Sequence, residues 1–314
     1  MSLPDDWFEE YDKPETIGAI ARALEGLGTS VTPLPFDRRL PWMLDEGHYD
    51  FVFNIAEGQG RRYREAAPAA TCELLGLPYT GSDPLTLSLT LDKWLTRRVV
   101  SPDVPVAAAA LIESETDEAA LQELPYPVIV KPNDEGSSKG IRADSIVNHA
   151  SQAANRCRWL RDNYGCPALV EEFLPGAEIT VGITGNGRCA RVLGMMEIAP
   201  VNADGQFVYS VEVKRDWRRR VCYHMPPRLD TDTRNELERL AQIAYRILGC
   251  RDIGRIDFRL DAGGQPRFLE CNPLPGLDPD NSDIVLLSQH TIAYEDLVQG
   301  ILRAAARRNG VCLP

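Results

Sequence analysis

The stretch GRIDFRLDAGGQPRFLECNP, residues 254–273, constrains the chain most. Two short apolar runs flank Gly263-Gly264, which predicts a β-hairpin. Side chains alternate faces along a strand, so Arg255, Asp257 and Arg259 are expected on one face of the first strand. By the same rule Phe268, Glu270 and Asn272 share a face of the second. Folding about residues 262–265 sets Asp257 opposite Glu270 and Arg255 opposite Asn272. Like charges opposed across a ladder repel. A divalent cation between the two acids would turn that repulsion into coordination, with Asn272 as a neutral oxygen ligand of the kind hard ions take. Two ions can share a bridging carboxylate such as Glu270. Arg255, on the same face, suits a phosphoryl oxygen or a developing oxyanion. The plain alternative is a surface hairpin with a wet polar side, and the apolar setting of PRFLECNP speaks against it.

A site that gathers anions must be weighed against the charge of the whole chain. The 314 residues carry a net charge of −12. An acidic balance argues against nucleic acid or an anionic membrane as partner. No apolar run approaches a membrane span, and the start MSLPDDWFEEYD is not a signal peptide. Eight scattered cysteines with no CxxC pair read as free thiols of a reducing cytoplasm.

Ahead of the hairpin the pattern is first β/α. Residues 14–27 and 64–77 read as helices, 29–36 as a weak strand and 49–56 as a buried strand, which implies a mostly parallel sheet. No strand precedes the first helix, so this first domain is expected to lack its opening strand. From about residue 91 the character changes. A helix ends at Pro102, 125–132 is a strand, 133–141 a polar loop, 148–163 a helix and 168–184 strand, turn, strand. Residues 187–200 read as a strand pair, 211–227 as a charged loop, 230–249 as a helix capped by Asp230 or Thr231, and about 292–308 as a final helix. The expected domains are 1–96, 97–180 and 181–314.

Two more segments carry chemistry. VIVKPNDEGSSKGI sets Lys131 at the end of a strand and Lys139 in a loop where Gly136 and Gly140 free the backbone. Ser137 and Ser138 add hydroxyls. Amides, hydroxyls and a lysine suit a polyphosphate, and a solvated hairpin loop explains the stretch equally well. VEEFLPGAE supplies Glu171, Phe173, Leu174 and Glu178, which could line an adenine and ribose pocket, although an ordinary amphipathic hairpin is the simpler reading of that segment alone.

Taken together, these elements resemble the ATP-grasp superfamily and, within it, the D-alanine–D-alanine ligases, from about Phe51 to the C-terminus. GLPYTGSDPLTLSLTLDKWLTRRVV is similar to the segment with the first ATP-binding lysine, here Lys93. VIVKPNDEGSSKGI matches the second lysine, Lys131, and the closing loop with Ser137. VEEFLPGAEITV matches the adenine and ribose segment, so Glu171, the backbone of Phe173 and Leu174, and Glu178 inherit those contacts. VEVKRDWRRRVCYHMPP occupies the place of the mobile loop, with Lys214 at its phosphate-contacting lysine. GRIDFRLD and FLECNPLPGL match the metal strands, making Asp257, Glu270 and Asn272 magnesium ligands and Arg255 the stabiliser of the transferred phosphoryl group. Gly276 falls where backbone donors hold an oxyanion.

The resemblance implies an α/β chain: a Rossmann-like parallel-sheet domain, then two α+β ATP-grasp subdomains clamping ATP. It implies ATP and two magnesium ions as cofactors, with manganese as a substitute, and small-molecule carboxylate and amine substrates in a homodimer. ATP would phosphorylate a carboxylate, and an amine would attack the acyl phosphate to form a peptide or amide bond. Departures lie on the substrate side. Glu57-Gly58 replaces a His-Gly pair, Arg215 replaces a tyrosine, and the loop GLDPDNSDI bears Asp278, Asp280 and Asp283, which favours a cationic or neutral amine over a carboxylate. The expected function is therefore a ligase with altered substrates. The alternatives are a genuine D-alanine–D-alanine ligase, an ATP-grasp kinase, or an ATP-binding regulatory protein without catalysis. Arg61, Arg62 and Arg64 are candidate substrate contacts. The basic residues of 214–220 are read chiefly as a solvated lid, His224 and His290 as structural, and Trp42, Trp94 and Trp159 as packing residues.

Overall fold

A computed structural model of the chain describes residues 3–58, 62–202 and 206–314. Five helices come first: α1 (Pro14–Glu25), α2 (Leu40–Glu46), α3 (Ala66–Leu75), α4 (Pro84–Leu91) and α5 (Lys93–Val100). Next come β1 (Ala109–Ile112), β2 (Val128–Pro132), β3 (Ile146–Val147), α6 (Ala150–Tyr164) and β4 (Ala168–Glu172). Their strands form an antiparallel sheet in the order β1-β4-β2-β3. The rest comprises β5 (Glu178–Thr184), β6 (Arg191–Pro200), α7 (Val211–Arg215), α8 (Trp217–Arg220), β7 (Val221–His224), α9 (Thr231–Ile247), β8 (Ile253–Leu260), β9 (Pro266–Asn272), α10 (Asp283–Ser288) and α11 (Tyr294–Asn309). A second antiparallel sheet runs β7-β6-β5-β8-β9. Among the described residues no helix is long and apolar enough to cross a membrane.

Each sheet buries one face on helices. Ile179, Val181 and Ile183 of β5 join Ile256 and Phe258 of β8 against Leu237, Leu240 and Tyr245 of α9. Val128, Val130 and Val170 of the smaller sheet pack on Cys157 and Leu160 of α6. Short caps set where helices begin. Asp230 accepts from Thr233 N at 2.8 Å to start α9, and Asp92 accepts from Leu95 N at 3.0 Å to start α5. Asn133, just past β2, accepts from Lys93 N at 3.0 Å and Trp94 N at 2.9 Å. The start of α5 is thus tied to the end of the strand that carries Lys131.

Three expectations change. Among the described residues the front of the chain has a single parallel bridge, Val52 to Tyr79, in place of a parallel ladder, and 29–36 form no strand. Phe51, Phe53 and Ile55 still pack on the cluster of α1 and α11, so burial there does not require a sheet. Residues 187–200 hold one ten-residue strand after a tight turn, not a strand pair. The charged 211–227 segment contains α7, α8 and β7, with Ser210 capping α7 through Val213 N at 3.4 Å.

Two glycines set the depth of the larger sheet. Gly182 pairs with Gly194 across β5 and β6. A Cβ on Gly182 would lie 2.7 Å from Ile284 Cδ1, and one on Gly194 2.8 Å from Leu287 O, so α10 seats in the groove they leave. Gly182→Val is expected to push α10 outward at a cost of roughly 1–3 kcal/mol. A melting midpoint equal to that of the wild type would refute it.

Candidate functional site

The larger sheet turns a polar row into the cleft between the sheets. Register aligns Thr180, Asp257 and Glu270 on β5, β8 and β9, and beside them Gly182, Arg255 and Asn272. The expected opposition of Asp257 to Glu270 and of Arg255 to Asn272 is therefore present. Asp257 accepts from Thr180 Oγ1 at 2.9 Å and from Arg255 Nη2 at 2.8 Å. Arg255 also reaches Asp283 at 3.0 Å, at the start of α10.

One expectation about the hairpin fails. Leu269 is an extra residue in β9, where the register shifts beside Asp257 and Phe258. The bulge turns Phe268 into the core with Phe258 and Cys271, away from Glu270 and Asn272, which remain toward the cleft.

A cavity of about 620 Å³ lies over this row. The residues assigned to ATP, metal and catalysis all line it: Lys93, Lys131, Ser137, Glu171, Phe173, Leu174, Glu178, Lys214, Arg255, Asp257, Glu270, Asn272 and Gly276. Lys93 Nζ donates to Glu135 O at 2.5 Å and lies 3.5 Å from Glu270. Lys131 pairs with Glu171 at 2.5 Å. The Lys214 side chain has no hydrogen bond or ion pair among the described residues, and burial holds its pKa below the ordinary lysine value against Asp283. Ser137 and Ser138 sit at φ 51° and 60°, the left-handed region, which costs non-glycine residues of order 1–3 kcal/mol each and recurs at ligand clamps. Ser138 Oγ donates to Tyr209 O at 2.8 Å.

The acids facing the cavity are shifted in opposite directions. Burial pushes Asp257 up, with Glu270 adding to the rise against Arg255. Burial acts on Glu270 in the same direction, but Lys93, Lys131 and Arg255 together outweigh it and hold this carboxyl low. Burial lifts Glu178 to about 7 despite Arg259 at 3.2 Å. A hard cation suits this set. Glu270 is held as an anion, Asp257 carries a like-charge penalty that a cation would relieve, and both face the cavity. Asn272 donates its amide nitrogen to Asp257 at 3.1 Å and Glu270 at 3.4 Å, and a half-turn would present its oxygen instead. The set is two carboxylates and an amide. Among the described residues no group of three or more His, Cys, Asp or Glu is placed to hold a metal.

Several assignments are corrected. Phe173 N donates to Pro127 O at 2.9 Å, so among the described residues Leu174 N is the donor of that pair without a backbone partner. Arg64 is buried, bonded to Asp134 O and Glu10 at 2.8 Å each, so it holds the fold and does not reach the cavity. Arg62 is on the surface against Asp92, and Arg61 lies outside the described residues. Trp42 is 63% exposed and packs little, whereas Trp159 joins the α6 core. Trp94 lies under Arg97 and Arg98. His224 and His290 lie outside the cavity lining. Asp283 is engaged by Arg255 and is not a free acid of the loop.

The sequence reading missed the N-terminal acidic segment. Glu10 accepts from Gly136 N and from Lys139 Nζ at 2.8 Å each. Asp6 accepts from Gly140 N at 3.0 Å and from Tyr164. Asp5 and Glu9 hold Arg215 at 2.7 and 2.6 Å. A strap of acids thus joins the Gly/Ser loop to α7, and it neutralises part of the basic run. Only the charge of DDWFEEYD hinted at this. Arg259 was also missed as a site residue. It stacks 4.7 Å over Phe173 and pairs with Glu178, and strand alternation from Asp257 already placed it on the cleft face.

Comparison with known proteins agrees with this architecture. A family model described as "D-ala D-ala ligase C-terminus" matches residues 103–303. The chain is 33% identical over 298 residues to the D-alanine–D-alanine ligase of Geobacter sulfurreducens, covering 92% of this chain and 87% of that one. It is 32% identical over 271 residues to the uncharacterized protein y4sG of Sinorhizobium fredii, covering 83% and 76%. The crystal structure of D-alanine–D-alanine ligase from Bacillus anthracis superimposes with a TM-score of 0.77 at 18% identity, covering 98% of this chain and 96% of that one. At that identity the likeness bears on fold alone: a mixed α/β chain of the ATP-grasp type with antiparallel sheets.

Proposed function

The chain belongs to the D-alanine–D-alanine ligase family, and from that membership we propose an ATP-dependent, ADP-forming ligase that joins a carboxylate to an amine through an acyl phosphate. The observation that carries this reading is the convergence of Lys93, Lys131, Lys214 and Arg255 on the Asp257–Glu270 pair within one cavity. Four cations around two acids suit a polyphosphate whose terminal group moves. Magnesium held by Asp257, Glu270 and Asn272 would neutralise charge on the phosphates.

The chain's own residues do the remaining work. Phe173, Leu174 and Arg259 form one wall for the base, and Glu178 accepts from ribose hydroxyls. Lys93 and Lys131 grip phosphate oxygens, and Lys214 meets them from the α7 side. Arg255, tethered by Asp283, orients the transferred group, while Gly276 N–H and Ser137 lie ready for an oxyanion and the attacking amine. Acyl phosphates hydrolyse, so the Gly/Ser loop and α7 are assigned to exclude water, as closing loops do elsewhere. The Glu57-Gly58 pair and Asp278 support substrates other than two D-alanines. The shared length and identity with named D-alanine–D-alanine ligases favour the second reading, a genuine member with that activity. The eight free thiols suit a reducing cytoplasm, where we place the enzyme.

Phosphate release with ATP, magnesium and a panel of carboxylates and amines decides. Release is expected only when both a carboxylate and an amine are present. A stable phosphorylated product without amine would replace the ligase by a kinase. Release with D-alanine alone, at a rate no other pair exceeds, would establish the second reading.

A further inference from the structure

One end of the cavity gathers acids that have few ion-pair partners among the described residues. Asp12, Glu57, Glu65 and Asp278 line it, drawn from the segment before α1, the loop before α3 and the loop before α10. Thr16 Oγ1, on α1, donates to Asp278 Oδ2 at 3.1 Å and ties two of these segments together. The neighbouring acids are matched: Glu10 and Glu135 pair with Arg64 and Lys139. Glu65 is different. It is 9% exposed, it lines the cavity, and among the described residues its carboxylate has neither a hydrogen bond nor an ion pair. Glu57 and Asp12 also lack a hydrogen-bond or ion-pair partner there. Lys13 lines the same end but is exposed and pairs with none of them. The acids feel one another. Burial and then Glu65 raise Glu57, with Arg64 opposing, burial lifts Glu65 to about 7 against Arg64, Lys93 and Lys139, and burial with Asp278 lifts Asp12 to about 6.

Buried carboxylates left without donors are costly, and a ligand that brings N–H donors and positive charge removes the cost. A zwitterionic amino acid brings its own carboxylate into that field and gains little. We propose that this end of the cavity binds a substrate with an ammonium group beyond those of a simple α-amino acid, either a diamine or an amino acid with a side-chain amine. The proposal rests on the ligase reading for which substrate is meant, but binding can be measured without turnover.

Calorimetric titration of the full chain with 1,4-diaminobutane, lysine and alanine tests it. Lysine or diaminobutane is expected to bind roughly tenfold or more tightly than alanine, since like-charge juxtaposition costs several kcal/mol. Binding of diaminobutane identifies a site that reads ammonium groups alone, and binding of lysine only identifies one that also reads an α-carboxylate. Glu65→Gln and Glu57→Gln keep side-chain volume and should each weaken the cation by about tenfold, with alanine unchanged. Melting curves show whether each variant is folded, and Asp12→Asn, on a half-buried segment, carries the test if Glu65→Gln is not. Alanine binding as tightly as either cation, or a folded Glu57→Gln or Asp12→Asn with undiminished cation affinity, overturns the proposal. Phosphate release that fails with every carboxylate and amine while diaminobutane still binds would overturn the ligase reading and leave the cation site standing.

Discussion

Glu270→Ala is expected to lower the rate of ADP release on the order of 10³-fold or more, the scale reached when a preorganised charge at a reacting group is lost. The carboxylate stands opposite Asp257 and within 3.5 Å of Lys93. Without it the cations that hold it ionised face one another across an empty position, and the cation site loses the ligand that could bridge two ions. The fold should survive. Lys93 keeps Glu135 O, Arg255 keeps Asp257 and Asp283, and the Glu270 side chain is already 29% exposed. The check is ADP release measured beside the urea midpoint. Full activity in the variant would remove the metal assignment, and a collapsed midpoint would make Glu270 a structural residue.

Glu10→Ala should be the most destabilising single change near the site, by roughly 3–5 kcal/mol, the range for removing one partner of a buried ion pair. Its carboxylate joins the amide of half-buried Gly136 and the buried side chains of Arg64 and Lys139. Alanine would leave Glu135 as the one carboxylate paired with both buried cations among the described residues and would release the Gly/Ser loop. The pH dependence has a definite sign. Burial works to raise the Glu10 pKa from 4.5, but Arg64 and Lys139 overcome it and the net direction is down. A carboxyl lowered on folding contributes stability that is complete above its unfolded value of 4.5 and is lost as pH falls through the lowered folded value. The wild type should therefore lose stability below about pH 4.5 more steeply than Glu10→Ala. Parallel acid titrations of the two melting midpoints check this, and identical slopes would contradict it. Limited proteolysis should also cut the variant faster at residues 134–140.

Much of the site was legible because its logic is local. Strand alternation and a two-glycine turn were enough to oppose Asp257 to Glu270 and Arg255 to Asn272, and the ladder has that register. Caps marked α9 through Asp230. Local rules failed where one residue changes the count, as at Leu269, whose bulge turned Phe268 to the other face. They failed again where an apolar run has no ladder partner, so that Phe51 and Phe53 are half-buried without forming a sheet.

The remaining differences concern partners far apart in the chain. Arg64 read as a substrate contact because its charge was visible and Glu10, 54 residues away, was not an evident mate. Asp283 read as a free acid until α10, seated over Gly182 and Gly194, brought it to Arg255. By itself the sequence determined the local pattern: which acids oppose each other and which lysines sit at strand and helix ends, a pattern that suits a polyphosphate. Those features rest on hydrogen bonding and side-chain alternation over a few residues. The tertiary structure alone decided which charges are neutralised and which are left facing the cavity. That outcome depends on burial and on ion pairs between distant segments, and a charge's cost is set by the water removed around it, which the order of residues does not specify.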